Sequence, residues 1–206
     1  MASNQLTSRG SARGGRFLAA AAALFVVLQA AQALAEQPAT NLTVREDQGV
    51  YRVTARFLID QPRSAALAVL TDYEEIPRFM PDVRTSVVRE RAVGRVVVEQ
   101  EAVSSVMMFS KRVHLVLEIE EQLDALIFRD RCRRSFVKYE GAWHLSEQDG
   151  QTAITYELTA EPSFDVPGFM VKRIFRRDAA QMIEHLQREI AARAARGGGI
   201  GSQSPR

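Results

Sequence analysis

Residues 64–81 read SAALAVLTDYEEIPRFMP. Leu67, Val69 and Leu70 give the apolar side of a short helix that stops at Thr71-Asp72, and Pro77 and Pro81 punctuate a second short turn. On both sides of this stretch the pattern changes to a period of two. Residues 50–59 read VYRVTARFLI, with Val53, Ala55, Phe57 and Ile59 alternating with Arg52, Thr54, Arg56 and Leu58, as a half-buried strand requires. Residues 42–45 supply a candidate strand before it, turned at Asp47-Gln48-Gly49.

Beyond Pro81, strands are expected at 83–91, 95–103, 107–120, 125–131, 135–146 and 152–160. The third of these is the cleanest. Val113, Leu115, Leu117 and Ile119 face one way; Arg112, His114, Glu118 and Glu120 face the other. Asp149-Gly150 is a strong hairpin signal. Strands that follow one another through short links pair antiparallel, and one apolar face beside one charged face means the sheet covers something on one side only. The cover is the segment 167–196, where Val171, Ile174, Phe175, Met182, Ile183, Leu186 and Ile190 recur at helical spacing. Pro167 opens it and Gly197 offers a stop. The expected fold is α+β: a curved antiparallel sheet of about seven strands wrapped on a long C-terminal helix, with two short helices after the first strand. A sheet curved in this way encloses a cavity, which makes ligand binding the first hypothesis.

The N-terminus has its own pattern. Arg9, Arg13 and Arg16 precede FLAAAAALFVVL, and Ala33-Leu34-Ala35 precede Glu36. Basic residues, a short apolar run and a small-residue cleavage site form a secretory signal. Residues 1–35 are therefore expected to be removed after Ala35, leaving a secreted or periplasmic protein. The alternatives are an uncleaved membrane anchor and a buried Ala-rich helix. Residues 1–35 hold three Arg and no acid, so of 27 basic and 25 acidic residues 24 and 25 remain. A mature chain of nearly balanced charge has no general attraction for nucleic acid. Residues 36–196 are long enough for one domain with a real core, and 197–206 read as a disordered tail. The single Cys132 excludes an internal disulfide.

Motifs for chemistry are scarce. His114, His144 and His185 stand at no metal-ligand spacing, and no nucleophile elbow, phosphate loop or dinucleotide fingerprint occurs. No cofactor, metal or catalytic residue is assigned. Asp72, Glu74 and Glu75 read as a helix end and solvated carboxylates. The apolar residues carry more. Phe79, Met80, Met107, Phe109, Trp143, Tyr156, Phe169 and Ile174 are the candidate ligand-binding residues, since Met and aromatic side chains line apolar pockets; each is equally suited to an ordinary core. Ser110, Trp143 and Tyr156 are candidate orienting groups. Lys111, whose strand parity matches inward-facing Val113 and Leu115, is the one titratable oddity. Lys172, Arg173, Arg176 and Arg177 form a basic block near the start of the last helix. It reads either as a solvated face or as a contact for anionic membrane. Arg129, Arg131, Arg133 and Arg134, interleaved with Asp130, mark the exposed face of a strand and its turn.

The order of elements, with Val69-Leu70-Thr71-Asp72-Tyr73 and Ile76-Pro77-Arg78-Phe79-Met80-Pro81 after the first strand, resembles the START-like superfamily. That superfamily includes the polyketide cyclase/dehydrase and coenzyme-Q-binding START families. Softer matches are Gly141-Ala142-Trp143 in a late strand and Pro167-Gly168-Phe169 at the last helix. The likeness spans residues 42–196. It implies a helix-grip fold with a hydrophobic cavity between sheet and helix, whose members bind lipids, quinones, hormones or polyketides, only some of them as enzymes. The signal sequence is a departure from the best-known quinone-binding and toxin-like members.

The expectation is an exported protein that binds a hydrophobic small molecule or lipid (quinone, fatty acid or phospholipid-like), with peripheral contact to anionic membrane and no nucleic-acid partner. The alternatives are a cyclase/dehydrase-type enzyme using the same cavity and a protein-interaction module without ligand.

Overall fold

The computed structural model describes residues 40–106, 109–164 and 167–198, apart from the side chains of 104–106 and 109. The signal-like segment and the end of the tail lie outside the described residues. Eight strands form one antiparallel sheet: β1 (Asn41–Asp47), β2 (Val50–Ile59), β3 (Val83–Ala92), β4 (Arg95–Val106), β5 (Phe109–Glu121), β6 (Ala125–Asp130), β7 (Phe136–Gln148) and β8 (Gln151–Pro162). Their order across the sheet is β1-β2-β8-β7-β6-β5-β4-β3. The excess over the expected seven is the edge strand β1, whose sequence signal is weak because it buries only Val44. It pairs with β2 along its whole length.

Turn chemistry fixes the hairpins. Gln48 (φ 50°) and Gly49 (φ 82°) join β1 to β2, and Asp149 (φ 50°) and Gly150 (φ 81°) join β7 to β8. Two consecutive residues with positive φ make the type I′ turn whose twist suits two-residue hairpins. At the end of β6 the carboxylate of Asp130 organises the turn. Its Oδ1 accepts from the Val116 amide at 2.8 Å and its Oδ2 from the Arg133 amide at 2.8 Å. Cys132 is half-buried there, with Sγ 3.2 Å from Asp130 Oδ1. Arg95, Arg129 and Arg131 converge on Glu118 at 3.1–3.6 Å on the outer face, so this basic cluster belongs to a surface ion-pair network.

The crossover from β2 to β3 carries helix α1 (Arg63–Leu70), a 3-10 turn (Tyr73–Glu75) and helix α2 (Ile76–Phe79). Helix α1 buries Ala66 and Val69 completely. The Thr71 hydroxyl donates to the Leu67 carbonyl at 2.8 Å and closes its last turn. Asp72 caps nothing with its side chain; its carboxylate is taken by Arg193 instead. The long helix α3 (Gly168–Gly198) begins just after Pro167 and spans about 46 Å at 1.5 Å per residue. Gly197 does not stop it, because that residue is not in the left-handed conformation a glycine stop adopts. Helix α3 buries Val171, Ala179, Ile183, Leu186 and Ile190 and packs on β1, β2, β4 and α1. Phe175 and Met182 are only half-buried, because the space beside them is not filled with protein.

Candidate functional site

That space is a cavity of about 410 Å³ between the inner face of the sheet and α3. Its size falls in the range of small-molecule sites. Three groups of side chains build it. Inward-facing residues of the strands supply one wall: Val113, Leu115, Leu117 and Ile119 from β5, Leu126 and Phe128 from β6, Tyr139 and Trp143 from β7 with Phe136 turned inward across a register shift, and Tyr156 and Leu158 from β8. Val171, Ile174, Phe175, Met182 and Leu186 from α3 supply the opposite wall. The crossover closes one side with Leu70, Tyr73, Ile76, Phe79 and Met80. The stretch whose sequence reading fixes the fold is thus also part of the container.

The sheet wall is aromatic, and its register explains why. Trp143 stands directly opposite Tyr156, with ring centroids 4.4 Å apart. Phe128 lies 6.3 Å from Tyr156 and 6.0 Å from Tyr139, and Phe136 lies 4.9 Å from Tyr139. Gly141 makes this tiling possible. A Cβ at that position would sit 2.7 Å from Phe128 Cζ and 2.0 Å from the Glu157 carbonyl oxygen, so a side chain there would displace both the ring and the β8 backbone.

Polar groups are few and belong to two classes. Inside, the Tyr73 hydroxyl donates to Glu121 Oε1 at 2.8 Å; burial and this bond hold its pKa far above the ordinary tyrosine value. The Tyr156 and Tyr139 hydroxyls interact with each other, and burial pushes Tyr139 up to about 12 and Tyr156 well above 10.0. Asp82, Gln100, Ser110, Lys111, Asp178, Gln181 and His185 are the other polar residues along its lining. The Lys111 ammonium lies 4.8 Å from the Phe164 ring centroid on an exposed side chain, so it is a rim group and not a buried base. His185 Nδ1 is 2.9 Å from Arg188 Nη2. His114 lies on the outer strand face, 3.4 Å from Glu99, and His144 is exposed. Among the described residues no three His, Cys, Asp or Glu come together as a metal site would need.

Of the candidate ligand-binding residues, Phe79, Met80, Trp143, Tyr156 and Ile174 line the cavity. Phe169 does not; it is 76% exposed at the start of α3. Met107 lies outside the described residues, as does the side chain of Phe109. Sequence reasoning passed over Tyr139, Phe128, Phe136 and Tyr73. Tyr139 shares its strand parity with Trp143, a signal that would have found it. In the basic block, Lys172, Arg173 and Arg176 are exposed, whereas Arg177 is half-buried and donates through Nε to Asp178 at 2.9 Å.

A helix-grip architecture around an apolar cavity narrows the relatives, and residues 59–187 match the model of the polyketide cyclase / dehydrase and lipid transport family. The chain belongs to this family. As a family member it carries a START-like fold, which solved structures share. Human STARD10 is 14% identical, with 94% of this chain and 86% of that chain covered and a TM-score of 0.60. A STAR-related lipid transfer protein from Xanthomonas axonopodis is 13% identical, with 73% and 98% covered and a TM-score of 0.58. The ZhuI aromatase/cyclase of a Streptomyces species is 13% identical, with 70% and 96% covered and a TM-score of 0.59. At such identities the likeness speaks for the fold alone. Curated protein sequences give no significant match.

Proposed function

We propose that this family member is an exported protein that binds a hydrophobic small molecule or lipid between sheet and C-terminal helix. The observation that carries this reading is the cavity of about 410 Å³ walled by apolar and aromatic side chains. Burying a ligand's apolar surface there stabilises the complex by roughly 25 cal/mol per Å². Export rests on the signal-like residues 1–35, and peripheral contact with anionic membrane rests on the exposed Lys172, Arg173 and Arg176.

The cyclase/dehydrase-type enzyme is the second reading, favoured by the family itself. The inner polar groups argue for binding ahead of it. Tyr73, Tyr139 and Tyr156 all hold their protons more tightly than ordinary tyrosines, so they donate hydrogen bonds at neutral pH and do not abstract protons.

Native mass spectrometry of protein purified from its host tests the binding reading, followed by uptake of quinone, fatty acid and phospholipid probes by delipidated protein. A co-purifying apolar compound or saturable uptake is expected. Protein that carries nothing and takes up no probe would overturn it. Intact mass checks export: the expected N-terminus is Glu36.

A further inference from the structure

A second pocket, of about 370 Å³, adjoins the apolar cavity on the side of the crossover. Arg78 and Phe79 from α2 line it together with His185, Arg188 and Glu189 from α3. Phe79, Pro81 and His185 line both spaces, so cavity and outer pocket share a boundary. Helix α2 buries none of its residues, which leaves that boundary lightly anchored. The two spaces differ in chemistry. The cavity is aromatic, whereas the outer pocket carries two guanidinium groups. Arg188 Nη2 lies 2.9 Å from His185 Nδ1. A guanidinium stays protonated and only donates, so Nδ1 accepts and the imidazole proton sits on Nε2. Nε2–H is then the donor the ring has left to give. Arg78 is paired with Glu75, and Arg188 with Glu184 at 3.7 Å. Each guanidinium has further N–H groups beyond these pairs, and both side chains are mostly exposed. The acid in the lining, Glu189, is taken by Arg193 at 2.7 Å and by Arg196 at 3.5 Å. The outer pocket therefore offers donors, with its own carboxylate already offset.

We propose that this outer pocket, built by Arg78, His185 and Arg188, is a subsite for the acidic head group of an amphiphile whose apolar body lies in the cavity. The ligand class is then a chain with a single carboxylate at one end. Guanidinium groups match a carboxylate through paired N–H···O bonds, and His185 Nε2–H adds a donor at the boundary. Glu75 and Glu184 already offset part of the charge on the two arginines, which suits one negative charge better than the higher charge of a phosphate monoester. A carboxylate held beside two exposed arginines stays near solvent and escapes the desolvation that the apolar cavity would impose. This inference rests on the binding reading above and deepens it: burial of the chain supplies affinity, and the head sets the direction in which the chain enters.

The test compares dodecanoate with dodecanol, chains of equal length that differ in the head, by displacement of the neutral probe N-phenyl-1-naphthylamine. Arg78→Gln and Arg188→Gln should each weaken dodecanoate roughly threefold to tenfold, the worth of one exposed charge-assisted hydrogen bond, and leave dodecanol unchanged. Arg45→Gln removes a cation from edge strand β1 and should change neither. The carboxyl of carbon-13-labelled dodecanoate should titrate at lower pH when bound than when free, because neighbouring guanidinium groups favour its ionised form. That readout needs no variant. Acetate carries the head without the chain and should bind at least roughly a hundredfold more weakly than dodecanoate, since it buries almost no apolar surface. Acetate binding as tight as dodecanoate would make the pocket a site for free anions and overturn the head-group role. Arginine variants that treat the two chains alike, or a carboxyl that titrates alike bound and free, would overturn the subsite and leave the binding reading standing. Failure of both chains and of the naphthylamine to bind would overturn both.

Discussion

Arg193, near the end of α3, donates through Nη1 to Asp72 Oδ2 at 2.6 Å, joining residues 121 positions apart. Its Nε donates to Glu189 Oε1 at 2.7 Å, and its guanidinium carbon lies 5.9 Å from the Phe79 ring centroid. One side chain therefore holds the crossover that closes the cavity against the helix that forms its opposite wall. Arg193→Ala and Asp72→Asn should each cost about 1 kcal/mol of stability, a value discounted for partial exposure. The double variant should cost less than the sum, since the two groups act on one bond. Urea unfolding of the four proteins gives this coupling, and strict additivity would disprove it.

Gly141→Ala is expected to be among the most damaging single-methyl additions in the sheet. The nearest atom to the added carbon is a backbone carbonyl oxygen at 2.0 Å, which cannot swing aside as a side chain tip does. The β7-β8 pairing must open locally, at a cost of at least about 2 kcal/mol. Thermal unfolding measures it, and a loss below about 0.5 kcal/mol would show that the strand relaxes easily.

Leu186 is 1% exposed and lies on both the core and the cavity. Leu186→Ala should cost about 2–5 kcal/mol and enlarge the ligand space. Denaturant unfolding reports the first effect and uptake of a bulkier probe the second.

The tyrosines predict a behaviour at high pH. All four hold their protons above the ordinary pKa of 10.0, chiefly through burial. A raised native pKa means the folded state keeps protons that the unfolded state loses. The stabilisation is complete below pH 10 and lost as pH rises through the native values. Ultraviolet titration of native protein should show less tyrosinate just above pH 10 than four free tyrosines would give, and unfolding should release the remainder. Normal titration of three or four tyrosines in protein that remains folded would contradict their burial.

Attraction to anionic membrane is expected to centre on the exposed Lys172, Arg173 and Arg176, since Arg177 is committed to Asp178. Each free cation near an anionic surface contributes roughly 1 kcal/mol, screened within about 8 Å at physiological salt. Charge reversal of the three to Glu should abolish sedimentation with phosphatidylserine vesicles, whereas reversal of Arg177 alone should change it less than reversal of Arg173. Sedimentation unaffected by the triple reversal would leave these residues as a solvated helix face.

Local pattern carried the architecture. Alternation along 50–59 and 113–119, the Asp149-Gly150 turn and the apolar spacing of 171–190 each depend on neighbours in sequence, so strands, hairpins and the long helix were legible without coordinates. The family resemblance was legible for the same reason, in the words around Pro77 and Pro81. β1 was faint because a single buried residue leaves little pattern. What the sequence could not decide was which apolar residues pack against protein and which face empty space. Ile183 and Met182 are adjacent on one helix, yet the first is buried and the second lines the cavity. Phe169 and Phe175 have the same side chain, yet one points to solvent and the other to the cavity. Asp72 gains its role only from Arg193, which the fold brings to it from a distant position. Hydrophobicity is a property of one side chain, whereas a cavity is a property of the gap left between many, and that gap exists only when sheet and helix are assembled.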